Sequence, residues 1–509
     1  MENQIREPAL NNKTVKTALI SFLENNISIR ALSAYLKQNG FDAICIFCSN
    51  RLGENDFNAL ENILKKEKIS LVGVTLATDD FQPAAIITGQ IKKRLNIPVI
   101  WGGPHADISP QECLSYADMV CTGEGEDALL ELARRMSTEK NLNTTIPNIW
   151  FKSDNKVITN EIRPLEENLD RLPFPDTDFE TQYTLQRGRI EKLEGKLTNG
   201  IYSIMTSRGC PYACDYCYNS YRKKQFTGKG RYLRMRSVKH VIAELALAKS
   251  KFKEIKKIHF LDDSFLIRSR SDLEIFKEEY KKKIDLPFFV LSEAISFDKN
   301  KVQLLKDSGL SMMQVGLQTG SERVNREIYN RPVLNKDITE LADIIKQKKI
   351  KVVFDIIFNN PYEKESDIAE TIKLLLRLPK PFSLQGYNLI FYPGTELTKR
   401  AIEDGYISLR SDKDGFTGIQ DESNSPLLHG SKAAVSNKFY KVNYGIKQNE
   451  YLNSLIILIS FMYVPNALAR FFLKKETYFK KILLRLIINQ CFIMKKVIKF
   501  SLSPSKKSI

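Results

Sequence analysis

Apolar positions along the chain follow two periods that alternate with each other. Between residues 16 and 140, short apolar runs rich in β-branched residues occur at Thr17–Phe22, Ala43–Phe47, Leu71–Leu76 and Val99–Trp101. Amphipathic stretches separate them at Arg30–Asn39, Asp56–Lys66 and Pro83–Leu95. Unbroken apolar runs suit strands buried on both faces, and the stretches between carry helical spacing. Strand and helix in turn predict an α/β domain with a doubly wound, Rossmann-like parallel sheet over residues 16–140, behind a polar tail of residues 1–15. Ligands of such sheets sit beyond the carboxyl ends of the strands. Two glycine-bearing loops fall there: Gly102-Gly103-Pro104-His105, and Gly123-Glu124-Gly125-Glu126 ahead of a helix over Asp127–Arg135.

The pattern lapses over residues 141–198, where prolines, charged clusters and Leu172-Pro173-Phe174-Pro175 predict a connector of extended surface segments. It resumes over residues 199–410. Strands are expected at Tyr202–Thr206, Lys257–Leu261, Phe288–Ser292, Met312–Leu317, Val352–Phe358 and Gln385–Tyr392, with helices such as Val238–Lys249, Lys299–Ser308 and Asp367–Leu378 between them. Six such units predict a partial (β/α)6 barrel. Residues 411–509 read as a loop followed by a helical, basic C-terminal region.

The net charge of +17 suggests nucleic acid until its distribution is considered. From Ser431 to Ile509 there are 15 Lys or Arg and 2 acidic residues, whereas the rest holds 62 basic and 58 acidic. The excess belongs to one tail. There, Leu455–Val464 is too short to span a bilayer, and Phe471–Phe500 interleaves lysines with Phe, Leu and Ile. Such a stretch suits an anionic membrane interface. Nucleic acid is the competing partner, and the aliphatic content favours lipid. Eight cysteines are too few for a disulfide framework, and Met1–Thr14 lacks the apolar core of a signal peptide. The expected location is the cytoplasm, with peripheral contact at the inner membrane surface.

The segment Arg208-Gly209-Cys210-Pro211-Tyr212-Ala213-Cys214-Asp215-Tyr216-Cys217 carries the strongest chemical signal. Three thiolates spaced C-x3-C-x2-C follow a strand, and thiolates suit iron–sulfur clusters. A four-iron cubane held by three cysteines keeps one iron open to a chelating ligand. Structural zinc commonly takes four ligands from paired CxxC units, and no fourth Cys or His lies nearby. By contrast, Cys45 and Cys48 sit three apart on an expected strand, pointing to opposite faces, and read as buried small hydrophobes. Cys113, Cys121 and Cys491 carry no further pattern. His240 and His259, on a helix and a strand pattern, read as structural.

The cysteine loop resembles the motif of the radical S-adenosylmethionine (SAM) superfamily, in which an aromatic residue, here Tyr216, precedes the third cysteine. The resemblance implies a [4Fe-4S] cluster on Cys210, Cys214 and Cys217, and SAM chelated by the open iron. Electron transfer into SAM, from a reduced flavodoxin or ferredoxin, then generates a 5′-deoxyadenosyl radical. His259-Phe260-Leu261-Asp262-Asp263 resembles a segment in which Asp262 or Asp263 lies near the SAM amino group, and Val315-Gly316-Leu317-Gln318-Thr319-Gly320 one in which Gln318 lies near SAM. Asn360-Pro361-Tyr362-Glu363 and Tyr392-Pro393-Gly394-Thr395 resemble further loops of the family. Glu293 stands where relatives often carry Arg.

The first 140 residues resemble the cobalamin-binding domains of one branch of that superfamily. The resemblance implies cobalamin against Gly102, Gly103, Gly123, Glu124 and Gly125, with Thr75 and Thr78 placed to bond its nucleotide tail or corrin amides. It departs at the D-x-H-x-x-G loop, because Leu23-Glu24-Asn25-Asn26-Ile27-Ser28 contains no histidine. The lower face of cobalt is then expected to be unligated by protein, or touched by another group. His105, in its GGPH loop, is expected in a supporting role. The branch implies methylation of an unactivated carbon, with one SAM methylating cobalt and a second supplying the radical, on a small-molecule or lipid-like substrate. Cyclisation or rearrangement is the alternative chemistry. A sulfur-inserting RNA enzyme would show three more cysteines in the first domain, and a non-enzymatic electron-transfer or sensor protein would need no SAM-facing loops.

Overall fold

The computed structural model describes residues 15–138, 144–153, 156–409 and 440–442, together with residues 453, 455, 456 and 459. The chain divides into two compact units, Met1–Gly209 with Lys223–Ile258, and Cys210–Arg222 with His259–Ile509.

The first unit opens with β1 (Lys16–Ser21), α1 (Ile27–Gln38), β2 (Asp42–Cys48), α2 (Glu54–Lys66), β3 (Leu71–Thr75), α3 (Phe81–Leu95) and β4 (Val99–Gly102). Then come the short α4 (Pro104–Ile108) and α5 (Pro110–Cys113), β5 (Met119–Cys121) and α6 (Glu126–Thr138). The expected strands and helices are present, with boundaries moved by at most three residues. The apolar runs are explained by two cores, one on each face: Ile20, Ile46, Val74 and Trp101 belong to one, and Leu19, Cys45, Phe47 and Ile100 to the other. Cys45 and Cys48 therefore point into different cores, and burial raises both thiol pKa values, that of Cys45 to about 12.

Residues 141–198, expected as a surface connector, complete this sheet. They supply β6 (Ile149–Ser153), β7 (Lys156–Ile158), β8 (Gln182–Gln186) and β9 (Arg189–Lys192), giving the order β7-β6-β5-β4-β3-β1-β2-β8-β9. Alternate residues explain the difference: Ile149 with Phe151, and Tyr183 with Leu185, are buried on strands too short and polar to stand out. β8 pairs parallel with β2, whereas β6, β7 and β9 close the edges antiparallel. The chain order reverses beside β1, which pairs with β2 on one side and β3 on the other.

Beyond this sheet lie β10 (Ile201–Ile204), β11 (Ser207–Arg208), α7 (Tyr218–Gln225), β12 (Arg234–Met235), α8 (Val238–Lys251), β13 (Lys257–Phe260), α9 (Arg270–Lys283), β14 (Phe288–Glu293) and α10 (Lys299–Ser308). They are followed by β15 (Leu310–Gln318), α11 (Asn335–Gln347), β16 (Lys351–Phe358), α12 (Glu365–Arg377), β17 (Ser383–Asn388) and α13 (Glu396–Glu403). The six-stranded sheet has the order β10-β13-β14-β15-β16-β17, which is strand order in sequence, as an open barrel of β/α units requires. β14 through β17 are parallel throughout. A two-stranded pair, β18 (Ile407–Leu409) with β19 (Tyr440–Val442), follows.

Most of the basic C-terminal region, including the Phe471–Phe500 helix expected to meet a membrane, lies outside the described residues. Of the Leu455–Val464 run, Leu455, Ile456 and Ile459 are helical and buried. Among the described residues no helix is long and apolar enough to cross a membrane.

Candidate active site

In the second unit the cysteine loop is held by backbone and side-chain bonds on both sides. The Cys217 N–H donates to the Cys214 carbonyl at 3.0 Å, and Ser220 closes the turn onto the Cys217 carbonyl through its N–H (3.1 Å) and hydroxyl (2.7 Å). Asp215 is fixed at three points: its N–H donates to the Tyr329 carbonyl, its carbonyl accepts from Leu397 N–H, and its carboxylate accepts from Asn330 at 3.1 Å. Tyr216 packs edge-on against Tyr329, ring centres 4.8 Å apart, beside a core that includes Ile328, Leu389 and Phe391. The aromatic residue before the third cysteine thus anchors the loop to that core.

The three cysteines are partly buried. Burial pushes the Cys210 thiol up to about 12 and the Cys217 thiol to about 11, and raises Cys214. The other cysteines and Asp263 add to the shift on Cys210, so these groups lie close enough to feel one another's charge. Thiols raised in this way become thiolates only against a strong positive charge, which a metal centre supplies. Among the described residues no three His, Cys, Asp or Glu side chains converge as the ligands of one ion. A cubane asks for something else, one thiolate per iron at three corners, and three sulfurs on one short loop meet that requirement.

The two aspartates after β13 separate in environment. Asp262 is buried, at 1% exposure. Asp263 is exposed; its carboxylate accepts a hydrogen bond from Asn219, two residues past Cys217, and its charge adds to the upward shifts of Cys210 and Cys217. Burial of its carboxyl by surrounding groups raises its own pKa, with the Asp262 charge adding to the shift.

Gln318 ends β15 in a left-handed backbone conformation, φ 66°, rare for a residue with a side chain and typical of functional turns. The following residues hold it there. Thr319 donates to Glu363 at 2.8 Å and meets Thr371 at 3.1 Å, while Gly320 N–H donates to Thr371 at 2.7 Å. Burial raises the Glu363 carboxyl to about 7. The Asn360–Glu363 segment is therefore a support for the Gln318 turn. Glu293 is committed as well: it accepts from the hydroxyls of Ser264 (2.7 Å) and Ser296 (2.6 Å) and from two backbone N–H groups, so this acid ties its own loop together.

In the first unit, Thr75, Gly102 and Gly103 meet at the carboxyl ends of β3 and β4, where Thr75 is the register partner of Gly102. Gly103 has φ 98°, and a Cβ on it would lie 2.8 Å from the Thr75 hydroxyl and 2.9 Å from the Leu76 carbonyl. Only glycine fits. Thr78 meets Nδ1 of His105 at 3.3 Å, and the His105 ring is buried against Phe81, a supporting role. In the loop where a D-x-H-x-x-G histidine would fall, the Asn26 side chain caps α1 by accepting from Ser28 N–H at 2.7 Å and Ile29 N–H at 3.4 Å. Gly123 N–H donates to the Asp107 carboxylate. Glu124 is not turned to an open edge; its carboxylate is bound by Arg234 and Arg208, a pairing that residues more than 80 positions apart do not announce in sequence.

Open β/α barrels with a three-cysteine loop, preceded by a doubly wound domain with glycine loops at its strand ends, form a recognisable class. Residues 204–375 match the radical SAM superfamily, and residues 15–133 match the B12 binding domain. The chain thus carries a B12-binding domain ahead of a radical SAM domain. The cofactor set expected from the sequence, a [4Fe-4S] cluster, SAM and cobalamin, is the set these two domains take. Among curated proteins, the chain is 28% identical over 357 residues to "Uncharacterized methyltransferase PH0819" of Pyrococcus horikoshii, covering 69% of this chain and 73% of that one. It is 24% identical to cytidylyl-2-hydroxyethylphosphonate methyltransferase of Streptomyces wedmorensis, over 46% of each chain. Among solved structures, the radical SAM methyltransferase TsrM of Kitasatospora setae superposes with a TM-score of 0.66 at 14% identity, covering 95% of this chain and all of that one, a likeness of fold.

Proposed function

We propose that this chain is a cobalamin-dependent radical SAM methyltransferase that methylates an unactivated carbon of a small-molecule or lipid-like substrate, with reduced flavodoxin or ferredoxin as electron donor. When bound, the cluster and SAM supply a 5′-deoxyadenosyl radical, and cobalamin supplies a transferable methyl group. Cys210, Cys214 and Cys217 hold the cluster and leave one iron for SAM. Asp263, close to that loop, takes the SAM amino group by charge and hydrogen bonding. Gln318, fixed by Thr319, Gly320 and Glu363, presents its amide to SAM. Thr75, Gly102 and Gly103 receive cobalamin beside the point where strand order reverses, with Gly123 and Gly125 at the neighbouring strand end.

The observation that carries the reading is the loop of three cysteines within eight residues, in a chain that also presents those glycine-lined strand ends. Methyl-labelled SAM tests it, given to anaerobically purified protein with measured iron and cobalt. About four irons and near-equal cobalt per chain, with label transferred to a carbon, support the reading. Iron without cobalt would leave the radical SAM assignment and move cyclisation or rearrangement to the front. Cys214→Ala is expected to abolish both the intact cluster and SAM cleavage; retention of both would remove the cysteine loop from the mechanism. A cytoplasmic location with peripheral membrane contact through the basic tail belongs to the same proposal. Flotation with anionic vesicles, lost on deleting residues 466–509, is its check.

A further inference from the structure

Glu124 was expected to face cobalamin, yet its carboxylate is spent elsewhere. β11 and β12 form an antiparallel pair in which Arg208 stands directly opposite Arg234. Two guanidinium groups in cross-strand register repel each other. Glu124 lies between them: Oε1 accepts from Arg234 Nη2 at 2.6 Å and from Arg208 Nη1 at 3.3 Å, and Oε2 accepts from Arg234 Nη1 at 3.1 Å. Glu126 takes the other end of Arg208 at 2.5 Å. The Arg234 side chain is only 2% exposed and also donates to the Glu166 carbonyl at 2.8 Å.

The chain then has little freedom before the first cysteine. Gly209 follows Arg208 with φ 88°, and a Cβ there would clash with the Tyr232 carbonyl oxygen. Cys210 is the next residue. We propose that the Gly123–Glu126 loop of the B12-binding domain acts as a clamp on the start of the cluster-binding loop, with Glu124 and Glu126 as positioning residues for the cluster and not as cobalamin contacts. The charge arrangement supports this division: two carboxylates neutralise two facing arginines, which leaves the loop's glycines, and not its acids, for a bulky planar ligand.

The test uses the full chain, reconstituted anaerobically with iron, sulfide and cobalamin. Its variants are Glu124→Gln, Glu126→Gln, Arg208→Gln and the Glu126→Gln/Arg208→Gln double. Three quantities are read: cobalamin per chain, the rate of iron loss to a chelator, and the EPR signal of the reduced cluster with and without SAM. Glu124→Gln should release iron roughly fivefold or more faster, as loss of one partner from a buried charge pair loosens what it held. Its SAM-induced EPR change should shrink, and its cobalamin content should match the parent. Arg208→Gln should behave like Glu126→Gln, with the double no worse than either single. Lost cobalamin with an unaltered cluster would overturn the proposal, as would unaltered iron release and EPR in folded variants. If Glu124→Gln does not fold, the Glu126–Arg208 cycle decides, and additive effects there count against the clamp. The inference rests on the cysteines holding the cluster, which Cys214→Ala reports separately. Absence of methyl transfer would leave these readouts intact.

Discussion

Strand β2 of the first unit buries Ala43 through Cys48 without a break, whereas β16 of the second buries Val352, Phe354 and Ile356 and leaves Val353 and Asp355 partly open. The same alternation runs across neighbouring strands: Phe289 and Leu291 on β14, Gln314 on β15, and Gln385 and Tyr387 on β17 are in register with that open face. One sheet is covered on both sides and can present ligands only with its strand ends. The other is packed with apolar side chains on one face and carries polar chemistry on the second. There Gln314 donates to Asp355 at 2.9 Å, burial raises the Asp355 carboxyl to about 6, and burial followed by the Asp355 charge raises Tyr387. A covered sheet positions its site by where its loops emerge; a half-covered one also offers side chains along its strands.

Truncation on each sheet gives the largest expected effect and the most direct way to break this contrast. Ile46 is fully buried on β2, so Ile46→Ala should lose about 2–5 kcal/mol of stability, the transfer term plus a cavity. Val353→Ala, on the open face of β16, should lose about 1 kcal/mol, since that side chain is only partly buried. Chemical denaturation of the two variants measures both. Equal losses would mean that the open face is core after all.

The legible part of the fold follows the same division. Strands buried on both faces, such as Ala43–Phe47 and Leu71–Leu76, declare themselves as apolar runs, and Lys299–Ser308 is a helix with the boundaries its pattern predicts. The cysteine loop is legible because all its ligands lie within eight residues. Strands β6 to β9 were not, because short charged segments become strands only through partners distant in sequence. The choice between Asp262 and Asp263 depends on strand-end geometry, and the engagement of Glu124 with Arg208 and Arg234 on a long-range contact. Gln314, Asp355 and Tyr387 are scattered over more than 70 residues, and nothing local marks them as one group.

A smaller effect sharpens the contrast by pH. The Asp355 carboxyl has a folded pKa near 6 against an ordinary 3.8, so between those values the folded chain holds a proton that the unfolded chain has released. Its contribution therefore falls as pH rises through that window, and above pH 6 the full penalty of a partly buried carboxylate is present. Asp355→Asn keeps an acceptor and donor for Gln314 without that penalty. The variant should melt about 2–4 °C higher than the parent at pH 8, with the gain gone by pH 4. A Tm difference independent of pH would show that Asp355 is not the group that titrates.

The smallest effect concerns His259, on the β13 strand of the same sheet. Its ring stacks on Phe289, centres 3.6 Å apart, and among the described residues no hydrogen-bond partner meets Nε2. Burial lowers its pKa to about 4, so the folded chain resists taking the proton that an unfolded histidine accepts near 6.5. The sign is opposite to that of Asp355: between pH 4 and 6.5 the histidine makes stability rise with pH. The two slopes offset each other in the parent, and His259→Phe should expose the downward slope of Asp355 alone. Phenylalanine keeps the stack and removes an unsatisfied nitrogen, so the Tm at pH 8 should change by no more than about 2 °C. If His259 is only packing, SAM cleavage and methyl transfer in His259→Phe will match the parent. Loss of methyl transfer with stability and cluster intact would instead put Nε2 among the groups this polar face offers to substrate.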